Sequence, residues 1–274
     1  MRLSLSEIST VNASFADDVA AYAAAGFEAI GIWEFKLPDD DEANLELLRS
    51  HGLAVANCVP TVPSLLQLHL PGMEGPADPE VRIEALCASV ERLARYEPEC
   101  VICLSGPAGE RDERAAGQVL VAGLGRIAAR AREAGVRLGF EPINAADRET
   151  LSFVHSIAEA LDVLDEAGLD DVGLMVDTYN LRDEDPSALV AAVERVAGVH
   201  VADAPADTSR GDRLLPAADG RSAALVAALR AAGWDASLDV EIFSTPEAFW
   251  GLSVEEAARA AYAAAAELAA RTSG

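Results

Sequence analysis

Two hydrophobic periods alternate along the chain. Alanine- and leucine-rich stretches, apolar at every third or fourth position, run up to a glycine, and a short, nearly continuous apolar run ending in a polar side chain follows. The unit reads AGFEAIGIWE around Gly26, HGLAVANC around Gly52, AGVRLGFE around Gly135, AGLDDVGLMVD around Gly168, AGVHVAD around Gly198 and AGWDASLDVE around Gly233. A glycine after an amphipathic stretch can take the left-handed conformation that ends a helix. An unbroken apolar run marks a strand covered on both faces. In YEPECVICLS, Pro98 replaces the glycine as the helix stop, and a strand still follows through Cys103 or Leu104. The pattern predicts strands at 2–6, 28–33, 53–58, 99–104, 136–141, 172–177, 197–202 and 236–242. It predicts helices that include 79–95, 112–134, 154–167, 187–195, 221–231 and 255–271. Eight alternating units predict a single (β/α)₈ TIM barrel, one domain over residues 1–274. A doubly wound sheet fits less well, because no GxGxxG follows the first strand. Five prolines between Pro60 and Pro79 mark a long irregular segment after the third strand, expected to be an active-site loop.

Composition narrows the setting. A chain of 274 residues, 51% hydrophobic, suits one barrel with a sizeable core. Its 46 acidic and 21 basic residues give a net charge of −25, a field that repels a phosphate backbone and argues against nucleic acid as partner. Lys36 is the only lysine, which together with the abundance of alanine reads as compositional bias or salt adaptation. No apolar stretch approaches the roughly 20 residues that span a bilayer. The opening MRLSLSEISTVN lacks the apolar core of a signal peptide, so the expectation is a cytoplasmic protein without membrane contact. Cys100 and Cys103 form a CxxC inside the apolar run CVICL; with Cys58 and Cys87 they are expected to be structural thiols, since a redox pair opens a helix and a zinc site needs a second pair.

Chemistry in such barrels gathers at the C-terminal ends of the strands. Glu141, Asp177, His200 and Glu241 fall at or near the ends of predicted strands five to eight, about one β/α unit apart. Any one of them alone reads as a cap, a solvated loop acid or a core histidine. Four adjacent strands each aiming one such group at a common point crowd three carboxylates together, which calls for a cation. Oxygen-rich ligation with one imidazole suits one divalent ion, Mn²⁺ or Mg²⁺ foremost and Co²⁺ or Zn²⁺ also compatible. Trp33, ending strand two, is either an apolar wall for a substrate or packing for a helix, and Glu34 beside it reads as a helix-start acid. His69, in the proline-rich loop, is a candidate substrate contact. His51, ending a helix before Gly52, reads as a surface residue facing the helix dipole, His155 as structural, and Phe243, Phe249 and Trp250 as cover for a pocket or a subunit contact.

The strings EPIN at 141–144, VDTYNL at 176–181, GVHVADAP at 198–205, GDR at 211–213 and DVEIFS at 239–244 resemble the xylose isomerase-like TIM-barrel superfamily, in its sugar phosphate isomerase/epimerase branch. That branch holds ketose 3-epimerases, hydroxypyruvate isomerase and inosose dehydratase. The resemblance implies metal ligation by Glu141, Asp177, His200 and Glu241, proton exchange with substrate by Glu141 and Glu241, and contact between Arg213 and substrate hydroxyls. It also implies a substrate contact three residues after Asp177. Relatives commonly have a histidine there, whereas this chain has Asn180, which can orient a hydroxyl but offers no titrating group. The implied activity is isomerisation or epimerisation of an open-chain ketose, aldose or related polyol through an enediolate. Dehydration of the inosose dehydratase kind is the alternative. The absence of a lysine cluster or phosphate loop favours an unphosphorylated substrate, and assembly into a homo-oligomer is compatible with the reading. An endonuclease of the related abasic-site type fits poorly, for it needs many histidines and a DNA-friendly surface. A non-catalytic carbohydrate-binding barrel would leave both glutamates idle.

Overall fold

The computed structural model describes residues 1–207 and 212–272. Eight parallel strands close into a barrel in sequence order: β1 (Leu3–Ser6), β2 (Ala29–Trp33), β3 (Ala54–Val59), β4 (Cys100–Cys103), β5 (Leu138–Phe140), β6 (Gly173–Asp177), β7 (Val196–Val201) and β8 (Leu238–Val240). Pairing of Leu3 with Leu238 and Ser4 with Asp239 joins β8 back to β1. The α-helices among the described residues are α1 (Phe15–Ala25), α2 (Asp41–His51), α3 (Pro79–Leu93), α4 (Glu113–Ala134), α5 (Ile157–Glu166), α6 (Pro186–Ala191), α7 (Arg221–Ala231) and α8 (Val254–Arg271). None is long and apolar enough to cross a membrane.

The helices begin where their side chains satisfy the free N–H groups of the first turn. Ser14, Asp40, Asp112 and Ser156 each accept from a backbone N–H two or three residues into the helix, and Ser253 with Glu256 closes a reciprocal capping box on α8. Gly26, Gly52 and Gly135 end α1, α2 and α4 with positive φ, as the repeat predicts. Two positions depart from it. Gly198 is not a helix end; it lies inside β7, where a Cβ would come 2.8 Å from Met175 Sδ, so it makes room inside the barrel. In the unit without a glycine, Glu97 itself adopts the left-handed conformation at φ 52° after α3, just ahead of Pro98.

Strands are shorter than the apolar runs that encode them. The run at 136–141 is paired as strand only over Leu138–Phe140, and that at 236–242 only over Leu238–Val240. Glu141 and Glu241 follow directly on the paired residues, and each backbone N–H still donates to the neighbouring strand, to Cys103 O at 3.0 Å and Val201 O at 3.2 Å. The main core fills the layer between strands and helices, with Leu5, Ile30, Leu86, Leu124, Leu174 and Leu225 fully buried. A second, smaller apolar cluster contains Cys100, Ile102, Met175 and Ala197, and reaches Trp33 and Val59 at the barrel mouth. The four cysteines are free thiols; Cys58, Cys100 and Cys103 are buried, and burial pushes all three upward in pKa.

One buried residue gathers several carbonyls of the proline-rich segment after β3. Arg82 of α3 is fully buried, and its guanidinium donates to the carbonyls of Ser64, Glu74 and Pro76 and to Ser64 Oγ. Burial without a carboxylate partner lowers its pKa to about 10. Arg82→Met would leave the buried carbonyl and hydroxyl of Ser64 without this donor and turn the part-buried carbonyls of Glu74 and Pro76 to water, so a loss of about 3 kcal/mol in unfolding free energy is expected. Denaturant unfolding checks this; an unchanged midpoint would show that the loop holds itself.

Candidate metal centre

The C-terminal mouth of the barrel opens into a cavity of about 280 Å³. A larger furrow of about 450 Å³ between α3 and α4 lies on the outer surface and is lined by Glu84, Glu91, Arg126 and Arg130. It is remote from the strand ends, and Arg130 and Glu91 already pair across it at 2.7 Å.

The mouth cavity is divided by chemistry. Its N-terminal side is apolar: Trp33, Val59, Ile102 and Leu104 from the strand ends, with Leu68, Leu70 and Met73 from the Arg82-anchored loop. Its ionisable lining residues all come from the second half of the chain: Glu141, Asp147, His200, Arg213 and Glu241. Trp33 is held in place by its indole N–H donating to Ser6 Oγ at 2.9 Å and its backbone N–H to Glu7 Oε2 at 2.8 Å. Its ring meets Phe243 edge-on at 5.8 Å, so it serves as wall and as packing at once.

Glu141, Asp177 and His200 bring one ligand atom each to within 4.8 Å of one another, and all three are buried. Glu241 joins them from β8, with Oε2 lying 3.3 Å from His200 Nδ1. On the other side of the ring, His200 Nε2 lies 3.3 Å from Asp239 Oδ2. Both ring nitrogens are buried, and neither contact has hydrogen-bond geometry. Asn180 is part of this cluster: its amide donates to Glu141 Oε1 at 3.0 Å and to Asp177 Oδ2 at 2.9 Å. The amide thus spans two carboxylates, an arrangement that the expected role of substrate contact did not include.

Arg213 supplies the positive charge. Its Nη1 donates to Asp177 Oδ2 at 2.9 Å and to Glu241 Oε2 at 2.6 Å, with a side chain only 9% exposed. The guanidinium is clamped between the rings of Tyr179 and Phe243, its carbon 4.7 Å from each centroid. The companion residue Gly211 of the GDR string lies outside the described residues.

Electrostatics follow from crowding. Burial, then repulsion from Asp177, pushes Glu141 up to about 8. Burial acts in the same direction on Glu241 but is outweighed by His200 and Arg213, which bring it down to about 2. Asp177 is raised, chiefly by burial and against the pull of Arg213. The ion-free site thus limits its negative charge with protons and one guanidinium. A buried imidazole whose ring nitrogens make no hydrogen bond, beside carboxylates short of counter-charge, completes the kind of donor set a divalent cation takes.

His69 does not join the site. It is exposed, its Nδ1 is 2.9 Å from the carbonyl oxygen of Glu149, and it is the neighbours Leu68 and Leu70 that line the cavity. Glu34 begins a short 3-10 turn and is buried, accepting from Thr61 N–H and Ser89 Oγ, so it ties loops together. Phe243 and Trp250 line the cavity, whereas Phe249 packs on the main core. Sequence reasoning missed Asp147, Thr150, Tyr179 and Ser244 in the lining. Asp147 carried a usable signal, as an acid in the loop directly after the strand-five glutamate.

Comparison with known proteins agrees with this architecture. Protein SMc04130 from Sinorhizobium meliloti 1021 superposes with a TM-score of 0.83 at 22% identity, covering 97% of this chain and 98% of its own. An IolI protein with a bound zinc atom gives 0.81 at 18%, covering 99% of each chain. D-psicose 3-epimerase from Clostridium cellulolyticum H10, solved with D-tagatose, gives 0.75 at 15%, again covering 99% of each. No curated protein matches in sequence. The family model for the xylose isomerase-like TIM barrel matches residues 19–270, and this chain belongs to that family.

Proposed function

We propose that the chain is a divalent-metal-dependent sugar isomerase or epimerase acting on an open-chain ketose, aldose or related polyol. The observation that carries the reading is the convergence of Glu141, Asp177 and His200, with Glu241 beside them, at the polar end of a cavity sized for a small molecule. These four residues would hold one ion, Mn²⁺ or Mg²⁺ in preference; the zinc-bound IolI neighbour supports a metal at such a site. When bound, the ion would polarise a carbonyl and its adjacent hydroxyl, acidifying the C–H between them. The chain's own groups do the rest. Glu141 and Glu241 come from strands separated by β6 and β7, so they address a substrate from two sides. One removes the proton and the other returns it, the general acid–base pairing the reaction needs. Arg213 orients hydroxyls beside them, and the apolar wall excludes water from the exchanging proton.

The lining also bears on substrate charge. Among the described residues, Arg213 is the only arginine or lysine in the cavity wall, and two carboxylates already engage it. Among the described lining residues a phosphate monoester would find no free cation, which favours an unphosphorylated substrate. The test is turnover of a ketose and aldose panel with Mn²⁺ in D₂O. The expected product carries one solvent deuterium on a carbon beside the carbonyl. Products without deuterium would overturn the proton-transfer mechanism, and preference for sugar phosphates would overturn the substrate reading.

A further inference from the structure

Asp239 is fully buried, in the middle of β8, and it points into the barrel beneath His200. An acid at such a position is costly unless it is used, since an apolar side chain of the same size would pack there without desolvating a charge. Three strands are shaped around it. On β3, Asn57 Nδ2 donates to Asp239 Oδ2 at 2.8 Å. On β2, Gly31 leaves the carboxylate its space: a Cβ there would fall 2.1 Å from Oδ2. On β7, His200 pairs in register with Asp239 and turns Nε2 toward that same oxygen at 3.3 Å. The opposite nitrogen, Nδ1, faces Glu241 and the ligand cluster.

We propose that Asp239 is a positioning residue that makes Nε2 the proton-bearing nitrogen of His200 and so reserves Nδ1 for the ion. Carboxyl oxygens stand 3.3 Å from both ring nitrogens, but only Glu241, beside Nδ1, belongs to the ligand cluster, so Asp239 Oδ2 is the acceptor that faces the nitrogen an ion would leave. An imidazole that gives one nitrogen to an ion keeps its hydrogen on the other, so a hydrogen held at Nε2 leaves Nδ1, 3.3 Å from Glu241 Oε2, for the ion. Carboxylate support behind a ligating histidine fixes its tautomer and raises its basicity. For its effect on affinity the inference rests on the metal reading above.

Two measurements separate them. Zn²⁺ affinity, taken by competition with a chromogenic chelator, is expected to fall by roughly 10–100-fold in Asp239→Ala. Gly31→Ala, which forces the carboxylate out of its cradle, is expected to show a similar loss. Asp239→Asn keeps one acceptor oxygen and should fall between wild type and alanine; it carries the comparison if the alanine variant does not fold. The second measurement uses metal-free protein with ¹⁵N-labelled histidine. One of the four histidines should show a downfield Nε2–H resonance that vanishes in His200→Gln and moves in Asp239→Asn. Wild-type Zn²⁺ affinity in the Asp239 variants, or a His200 Nε2 without its proton, overturns the proposal. If wild type takes up no Zn²⁺, the metal reading fails while the Nε2–H resonance still decides whether Asp239 holds the ring.

Discussion

Glu141→Gln and Glu241→Gln are each expected to lower kcat by roughly 10²–10⁴-fold, the range in which a positioned acid–base group contributes. The amide keeps the shape of the carboxyl and removes its ability to exchange a proton, so the fold is expected to persist. For Glu141 the structure gives a specific reason. Burial and Asp177 already favour its protonated form, which a glutamine mimics, and Asn180 can still donate to the amide oxygen. Each variant should also hold less metal, because a carboxylate donor is lost. Steady-state kinetics with elemental analysis and circular dichroism check all three points. Turnover within a few-fold of wild type in either variant would remove that glutamate from the proton transfer.

The second large effect is expected at Arg213. Arg213→Ala removes a charge that bonds Asp177 and Glu241 and is clamped between two aromatic rings. A group held this rigidly acts by orientation, and misplacement of a substrate by about 1 Å can cost 10²-fold. We therefore expect kcat/KM to fall by roughly 10²-fold or more. The ion should still bind, because the guanidinium neutralises the same carboxylates and competes with a cation for them. Metal content unchanged with activity lost is the predicted combination. If metal is lost as well, Arg213 serves mainly to hold the ligands in place; if activity is unchanged, it is a structural pair alone.

The barrel was legible because its signal is repeated: each apolar run is bounded by a stop, and eight such units leave little choice of topology. The convergence of acids and a histidine at the strand ends was legible for the same reason, since the register of one unit predicts the next. What escaped has a different origin. Gly198 looked like a helix end because it follows an alanine and precedes a strand, but its use is spatial, making room for Met175, its register partner on the neighbouring strand β6. His69 looked available because the loop was; the side chains that reach the cavity are its leucine neighbours, and loop conformation has no period from which to read this. Arg82 gave no hint at all, because its partners are backbone carbonyls 6 to 18 residues away. Asp239 was visible in principle as an acid inside the run SLDV, but Gly31 and Asn57, which accommodate it, come from other strands.

The division of the cavity has a consequence for how such a protein diversifies. The first four β/α units and their loop contribute shape without a single ionisable lining residue among those described, and the last four contribute every charge. Substitution of the first-half lining residues changes the outline without touching a charged group, whereas the second half supplies every charge and, through Ile143, Leu151, Phe243 and Trp250, part of the outline as well. A chimera joining units one to four of one relative to five to eight of another would therefore exchange much of the apolar mould around the charged end, provided that Gly31 and Asn57, which hold Asp239 from the first half, are carried along.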